Sequence, residues 1–324
     1  MQVSPSVRAV MVPDANPMHP DFTCIYIAGK GQVLSIDSGE AIDRYHWFIK
    51  GYLAAVERSE IALAGITHHH SDHSGNLKWV RSELNAEIVA PKEGLPLLKG
   101  RLPRSGVRTF ADGEVIELDG GVRLRVLLTP GHSTDSVCYY LEDEGVLFSG
   151  DTLLGSSTTT VHDLGAYRRS LQMLAGLPNL KVICPGHGKL IWDPRERIQM
   201  YINHRNMREK QILEVLEGGG AWTSWDIMLR LYPDIDKRLR RAAENNVRAH
   251  LVQLEGEGRL NTYAGRPRRP SAVRKARQEE HARERVAIIK RGQREEAKQR
   301  REEIRMQENP ASAEWLEPPR YELN

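Results

Sequence analysis

Thr67-His68-His69-His70-Ser71-Asp72-His73-Ser74-Gly75 is the densest run of metal-ligating side chains in the 324-residue sequence. Its spacing is His68-x-His70-x-Asp72-His73. Neutral imidazoles and a carboxylate are borderline and hard donors, suited to zinc, manganese or iron rather than to an ion that seeks thiolates. These four residues cannot all face one ion from a regular helix. The apolar run 61–66 leads into them and predicts a buried strand, so the donors belong to the loop at its C-terminal end. Such a loop can aim His68 and His70 at one ion and Asp72 and His73 at a neighbour. Short His-rich tracts also arise from composition alone, and the rest of the chain decides against that reading.

Three further strand-like runs each end in one more candidate donor. Residues 122–128 lead into Thr129-Pro130-Gly131-His132-Ser133, residues 145–148 into Ser149-Gly150-Asp151-Thr152, and residues 181–184 into Pro185-Gly186-His187-Gly188. Each alone reads as a turn in which Gly and Pro serve backbone geometry. Combined with the first cluster they form an ordered set. Asp37, in Leu34-Ser35-Ile36-Asp37-Ser38-Gly39, ends another strand and reads either as a carboxylate that orients a ligand or as an ordinary turn residue.

The order HxHxDH, PGH, GD, PGHG resembles the metallo-β-lactamase superfamily over about residues 1–200. By that resemblance His68, His70 and His132 hold one divalent metal, Asp72, His73 and His187 hold a second, and Asp151 bridges them. Zinc is the expected ion, and manganese and iron accept the same donors. The resemblance implies a metal-dependent hydrolase that attacks with a metal-bridging hydroxide. By the same resemblance Asp72, besides ligating, would orient that nucleophile and shuttle its proton. It also implies an α/β fold of the αββα type, two mixed sheets face to face with helices outside and the metal ligands gathered in loops at one edge.

Periodicity agrees with an alternation of strands and helices. Residues 7–12, 23–28, 32–36, 87–90, 115–118 and 137–141 read as strands, and 41–57, 77–84 and 167–177 as helices. At 40% hydrophobic the chain can bury a sizeable core. Cys24, Cys138 and Cys184 are scattered, odd in number and set within or beside apolar runs, which reads as buried reduced thiols in a reducing compartment. No signal-peptide pattern and no membrane-spanning stretch is present in the sequence, so the expected location is cytoplasmic, without membrane association. Nothing in the sequence sets an oligomeric state.

The segment after His187 is more distinctive. Asp193-Pro194 is a helix entry, and helical periodicity continues to about Leu213 as one long helix or two short ones. Thr223 or Ser224 can cap a helix through Leu231, Pro233 breaks it, a third helix runs from about Lys237 to Leu254, and residues 256–260 suggest a small hairpin. Three helices and a wing resemble a winged helix. With the Tyr201-Ile202-Asn203-His204-Arg205-Asn206-Met207-Arg208 run and the Gly155-Ser156-Ser157-Thr158-Thr159-Thr160-Val161 loop, the chain is similar to the beta-lactamase-like protein 2 family, whose members include a mitochondrial single-strand endoribonuclease. The stretch Pro20-Asp21-Phe22-Thr23-Cys24 departs from that family's usual Thr-Asn-Thr-Tyr.

The expected organisation is a catalytic domain over 1–193, a linker helix and winged helix over 194–264, and a charged tail over 265–324, solvated helix or disordered. The tail holds 16 Lys and Arg against 11 Asp and Glu, so the net charge of +3 resides there. Lys237, Arg238, Arg240, Arg241 and Arg248 make the third helix basic, fit for phosphates or a solvated face of a module that dimerises or roofs the site. Trp222 and Trp225 read equally as core and as stacking surfaces. The resulting expectation is a single-strand RNA endoribonuclease acting on phosphodiesters. The alternatives are an ester or thioester hydrolase of the glyoxalase II or polyketide type, and a nucleic-acid-binding module with a residual metal site.

Overall fold

The computed structural model describes residues 1–13, 22–55, 59–98, 100–267 and 315–324. They fall into two compact units, 1–204 and 205–324. In the first, a seven-stranded sheet runs in sequence order through β1 (Gln2–Ser4), β2 (Val7–Pro13), β3 (Phe22–Ala28), β4 (Gln32–Ile36), β5 (Glu60–Gly65), β6 (Glu87–Pro91) and β7 (Val107–Phe110). β1 to β4 are antiparallel and β4 to β7 parallel. A second sheet is ordered β12-β11-β10-β9-β8, with β8 (Val115–Leu118), β9 (Val122–Leu128), β10 (Val137–Leu141), β11 (Val146–Gly150) and β12 (Val182–Pro185). Only its β11–β12 pair is parallel. β1 and β7 were not expected, being short and weakly patterned.

Alternation along the strands builds the layers. Tyr26, Leu34 and Ile36 of the first sheet join Leu124, Val126, Tyr139 and Phe148 of the second in one buried core. The opposite face of the first sheet sends Ile25, Ile27 and Val33 into a second core with Tyr45 and Ile49 of α1 (Asp43–Ala55) and Leu77 and Val80 of α3 (Leu77–Leu84). Between them lies the four-residue α2 (Ser71–Ser74). α4 (Leu164–Ala175) buries Tyr167, Leu171 and Leu174; its Tyr167 hydroxyl donates to the Thr152 carbonyl and Ser170 to that of Pro130. The αββα layering follows. Because β4 to β6, and separately β11 and β12, are parallel, their C-terminal ends share an edge, where the donor-bearing loops begin.

α5 (Pro194–Glu217) is one continuous helix. In the second unit, α6 (Ser224–Leu231) starts at Thr223, whose hydroxyl accepts from the Asp226 amide, and α7 (Arg240–Gly256) follows a single 3-10 turn at Lys237–Leu239. Trp225, Ile227, Met228, Val247, Leu251 and Leu254 form its core, which settles Trp225 as a core residue.

The wing corrects the sequence reading. Residues 256–260 form no hairpin: Gly256 ends α7, and β13 (Leu260–Tyr263) pairs with β16 (Arg320–Leu323) at the far end of the chain. β14 (Arg266–Pro267) pairs with β15 (Trp315–Glu317) beside it. Residues 315–324, expected within the charged tail, are thus strand-forming, and Tyr321 is buried in the small core while exchanging backbone hydrogen bonds with Trp222. The stretch 273–306, expected as a solvated, partly helical extension, lies outside the described residues. Among the described residues no helix is long and apolar enough to cross a membrane. All three cysteines are buried and unpaired in disulfides; burial pushes the Cys24 thiol up to about 12 and that of Cys138 to about 11.

Tyr321→Ala in the full chain should therefore destabilise the second unit by about 3 kcal/mol, the scale of emptying a buried aromatic site. Differential scanning calorimetry should show an earlier transition with metal content unchanged; a wild-type thermogram would refute the role given to the C-terminal strand.

Candidate metal centre

The seven expected donor residues lie together, each carried past the end of a strand. His68, His70, Asp72 and His73 follow β5, with Asp72 and His73 on α2; His132 follows β9, Asp151 follows β11 and His187 follows β12. They form two groups, His68, His70, His132 and Asp151 in one and Asp72, His73 and His187 in the other. In the first, His70 Nδ1 is 2.9 Å from His68 Nε2 and 3.2 Å from His132 Nε2. Asp151 Oδ2 lies 4.0 and 3.8 Å from the same two Nε2 atoms. In the second, His187 Nε2 is 3.1 Å from His73 Nε2 and 3.2 Å from Asp72 Oδ2. Asp151 Oδ1 faces this group at 3.4 and 3.5 Å from His73 and His187.

Four donors about 2.1 Å from one ion in a tetrahedron stand roughly 3.4 Å from one another, so both groups fit a cation. Asp151 Oδ1 is buried without a hydrogen-bond partner among the described residues, an expensive arrangement unless something positive faces it. Gly186 keeps the space open: a Cβ there would come within 2.6 Å of both Asp151 Oδ1 and His73 Cε1.

The far ring nitrogens fix which edge of each imidazole points inward. His73 Nδ1 donates to Asp37 Oδ2 at 2.7 Å. His132 Nδ1 donates to the Thr160 carbonyl at 2.9 Å. The Thr67 hydroxyl gives its proton to Asp37 and so accepts from His68 Nδ1 at 3.1 Å. Thr23 Oγ1 stands 3.1 Å from His187 Nδ1. Each of these four rings is thereby left with Nε2 toward the donor group, whereas His70 presents Nδ1. Asp37 sits in left-handed backbone (φ 66°), a conformation Asp tolerates, which turns its carboxylate onto Thr67 and His73. It holds the His73 ring in place rather than serving only as an ordinary turn residue.

Electrostatics separates the two groups. Burial holds the His68 and His132 pKa values below the ordinary 6.5 and that of His70 down to about 3, so these rings are neutral at pH 7. Burial also opposes charge on His73, but Asp151, Asp37 and Asp72 outweigh it and hold its pKa well above 6.5. Burial likewise opposes the Asp151 charge, and the imidazoles of His187 and His73 outweigh it, keeping the carboxylate ionised. The three carboxylates around His73, those of Asp151, Asp37 and Asp72, thus favour a positive charge at the second group.

Sequence reading missed Thr67, Thr159, Thr160 and Asp135 as supports. Thr23 stands in the stretch already noted as departing from the related family's pattern, and that departure falls on a residue touching His187. Asp135 carried no motif, yet its Oδ1 lies 2.8 Å from His69 Nδ1.

Residues 23–187 match the model of the metallo-beta-lactamase superfamily. This chain belongs to that superfamily. A beta-lactamase-associated winged helix domain matches residues 223–264. The chain is 34% identical over 263 residues to a beta-lactamase-like protein 2 homolog of Caenorhabditis elegans, covering 79% of this chain and 86% of that one. It is also 34% identical over 215 residues to an atrochrysone carboxyl ACP thioesterase of Aspergillus fumigatus, covering 65% and 66% respectively. Among solved structures, a metallo-beta-lactamase family protein of Thermus thermophilus superposes with a TM-score of 0.68 at 27% identity over 80% of this chain and 96% of that one. The protein is accordingly a metal-dependent hydrolase with an αββα sandwich and a winged helix.

Two outcomes follow. Asp37→Ala should lower divalent-metal affinity by about 10- to 100-fold, read by competition with a chromophoric chelator; wild-type affinity would remove Asp37 from the site. In metal-free protein the unfolded chain binds protons below pH 6.5 that folded His68, His70 and His132 resist. Denaturant midpoints should fall as pH drops from about 6.5 to 4, and further below the ordinary aspartate value of 3.8, where Asp72 and Asp151 act with the same sign. The His73 contribution is already complete below pH 6.5 and is lost only at higher pH. A flat profile would contradict this reading.

Proposed function

We propose that this hydrolase cleaves phosphodiester bonds of single-stranded RNA, with His68, His70 and His132 holding one divalent ion, Asp72, His73 and His187 a second, and Asp151 shared between them. The supporting observation is that the similarity to the beta-lactamase-like protein 2 homolog spans most of both chains, winged helix included. Exposed Lys237, Arg238 and Arg248 add positive charge to the second unit. Zinc suits the nitrogen-rich donor set best. Unpaired, buried thiols fit a reducing, cytoplasmic setting.

Two divalent ions held there would supply Lewis acidity and would lower the pKa of an attacking water toward neutrality. The protein's own part is positioning. Asp72, its side chain 16% exposed at the rim of a buried cluster, orients the attacking water and accepts its proton at a carboxylate oxygen. Asp37 and the Thr160 carbonyl hold His73 and His132 so that neither ring can rotate out of line. Burial of His68, His73 and His187 excludes bulk water from the inner side of the site.

A second reading, hydrolysis of an acyl thioester, is favoured by the 34% identity to the fungal thioesterase over 215 residues. Metal-loaded protein incubated separately with a labelled single-stranded RNA and with an acyl thioester decides between them. RNA cleavage should be present in the wild type and lost in a His68→Ala, Asp151→Ala double variant. Thioester hydrolysis without RNA cleavage would replace the first reading with the second, and RNA cleavage surviving in the double variant would show that the centre is not responsible.

A further inference from the structure

His69 is the histidine of the cluster that joins neither donor group. Its ring stands 4.8 Å from that of His70 and 6.4 Å from that of His68. Its Nδ1 is 2.8 Å from Oδ1 of Asp135, a carboxylate whose side chain is completely buried while His69 is 26% exposed. The same oxygen accepts from the Ser133 hydroxyl. A carboxylate that already accepts from a hydroxyl leaves the imidazole as donor, so Nδ1 carries the hydrogen. Asp135 Oδ2 is buried and has no hydrogen-bond partner among the described residues. Gly94 closes over it, where any Cβ would come within 2.9 Å of Oδ2. Burying a carboxylate with one oxygen unpartnered is costly, and here it holds one half-buried ring beside the donor groups.

With Nδ1 committed to Asp135, Nε2 is the ring nitrogen left for a further partner on a side chain that is 26% exposed. In the neutral ring Nε2 is a hydrogen-bond acceptor. We propose that His69, oriented by Asp135, contacts substrate at the rim of the centre and accepts a hydrogen bond from a substrate hydroxyl next to the scissile bond. Resting on the RNA reading above, that hydroxyl is the ribose 2′-OH, on the carbon adjacent to the one bearing the scissile phosphate ester. A 2′-OH can donate, which is what lets a protein distinguish RNA from DNA at a given position. Asp135 is then a positioning residue acting through His69.

The test uses the full, metal-loaded protein with single-stranded oligouridylate and its 2′-deoxy and 2′-O-methyl counterparts, both unable to donate from the 2′ position. Wild type should prefer the ribo-oligomer, and His69→Ala should reduce the ratio of ribo to 2′-deoxy kcat/KM by about tenfold while metal content stays at wild type. His69→Gln, which keeps an acceptor, should recover part of the ratio. Asp135→Ala should reproduce the His69→Ala ratio, a shift that general loosening of the fold would not produce. An unchanged ratio in His69→Ala, with wild type active on RNA, would overturn the role of His69 alone. No RNA cleavage by wild type would overturn the function on which it rests, and the inference with it. Metal lost from His69→Ala would make His69 a ligand and likewise overturn the proposal.

Discussion

Asp151 faces both donor groups at once, one carboxylate oxygen toward His68 and His132 and the other toward His73 and His187. A buried carboxylate between four imidazoles is tolerable only if its charge is met, and the surrounding architecture serves that requirement. The parallel strands β11 and β12 bring Asp151 and His187 to the same edge, and the parallel strands β4 and β5 do so for Asp37 and the His68 to His73 loop. Gly186 leaves room for the carboxylate. A side chain there would displace Asp151 and so disturb both groups together.

Around that constraint the hydrogen bonds form a graded series of supports. Asp37 receives His73 Nδ1, the Thr67 amide and the Thr67 hydroxyl, so one left-handed residue ties the first sheet to two of the imidazoles. The Thr159 and Thr160 loop does the same for His132, and Thr23 for His187. None of these supports has the motif character of the donors. A hydroxyl or carbonyl at the right place in space serves, and many residue types can supply one, which leaves no spacing for a sequence reading to detect. Asp135 illustrates the point: in sequence it is one aspartate in a turn, and only its 2.8 Å approach to His69 gives it a role.

The second unit shows a different limit. Its helices were legible because caps and breakers are local: Thr223 caps α6, and Pro233 lies two residues beyond its end. Its wing was not, because β13 finds its partner in β16, separated by a long charged stretch that local pattern assigns to a tail. Strand pairing depends on which backbone edges meet in space, and a register between Leu260 and Leu323 leaves no trace in either segment alone.

The sequence by itself determined most sheet-forming runs of the catalytic unit and the order of the seven candidate donors, because ligand spacing after strands and apolar alternation are local properties of the chain. The tertiary structure alone decided which nitrogen each imidazole turns inward, that His69 leans on Asp135 and that residues 320–323 complete the small domain. Those depend on distances between segments far apart in sequence, set by sheet order, parallel strand ends and the packing between layers.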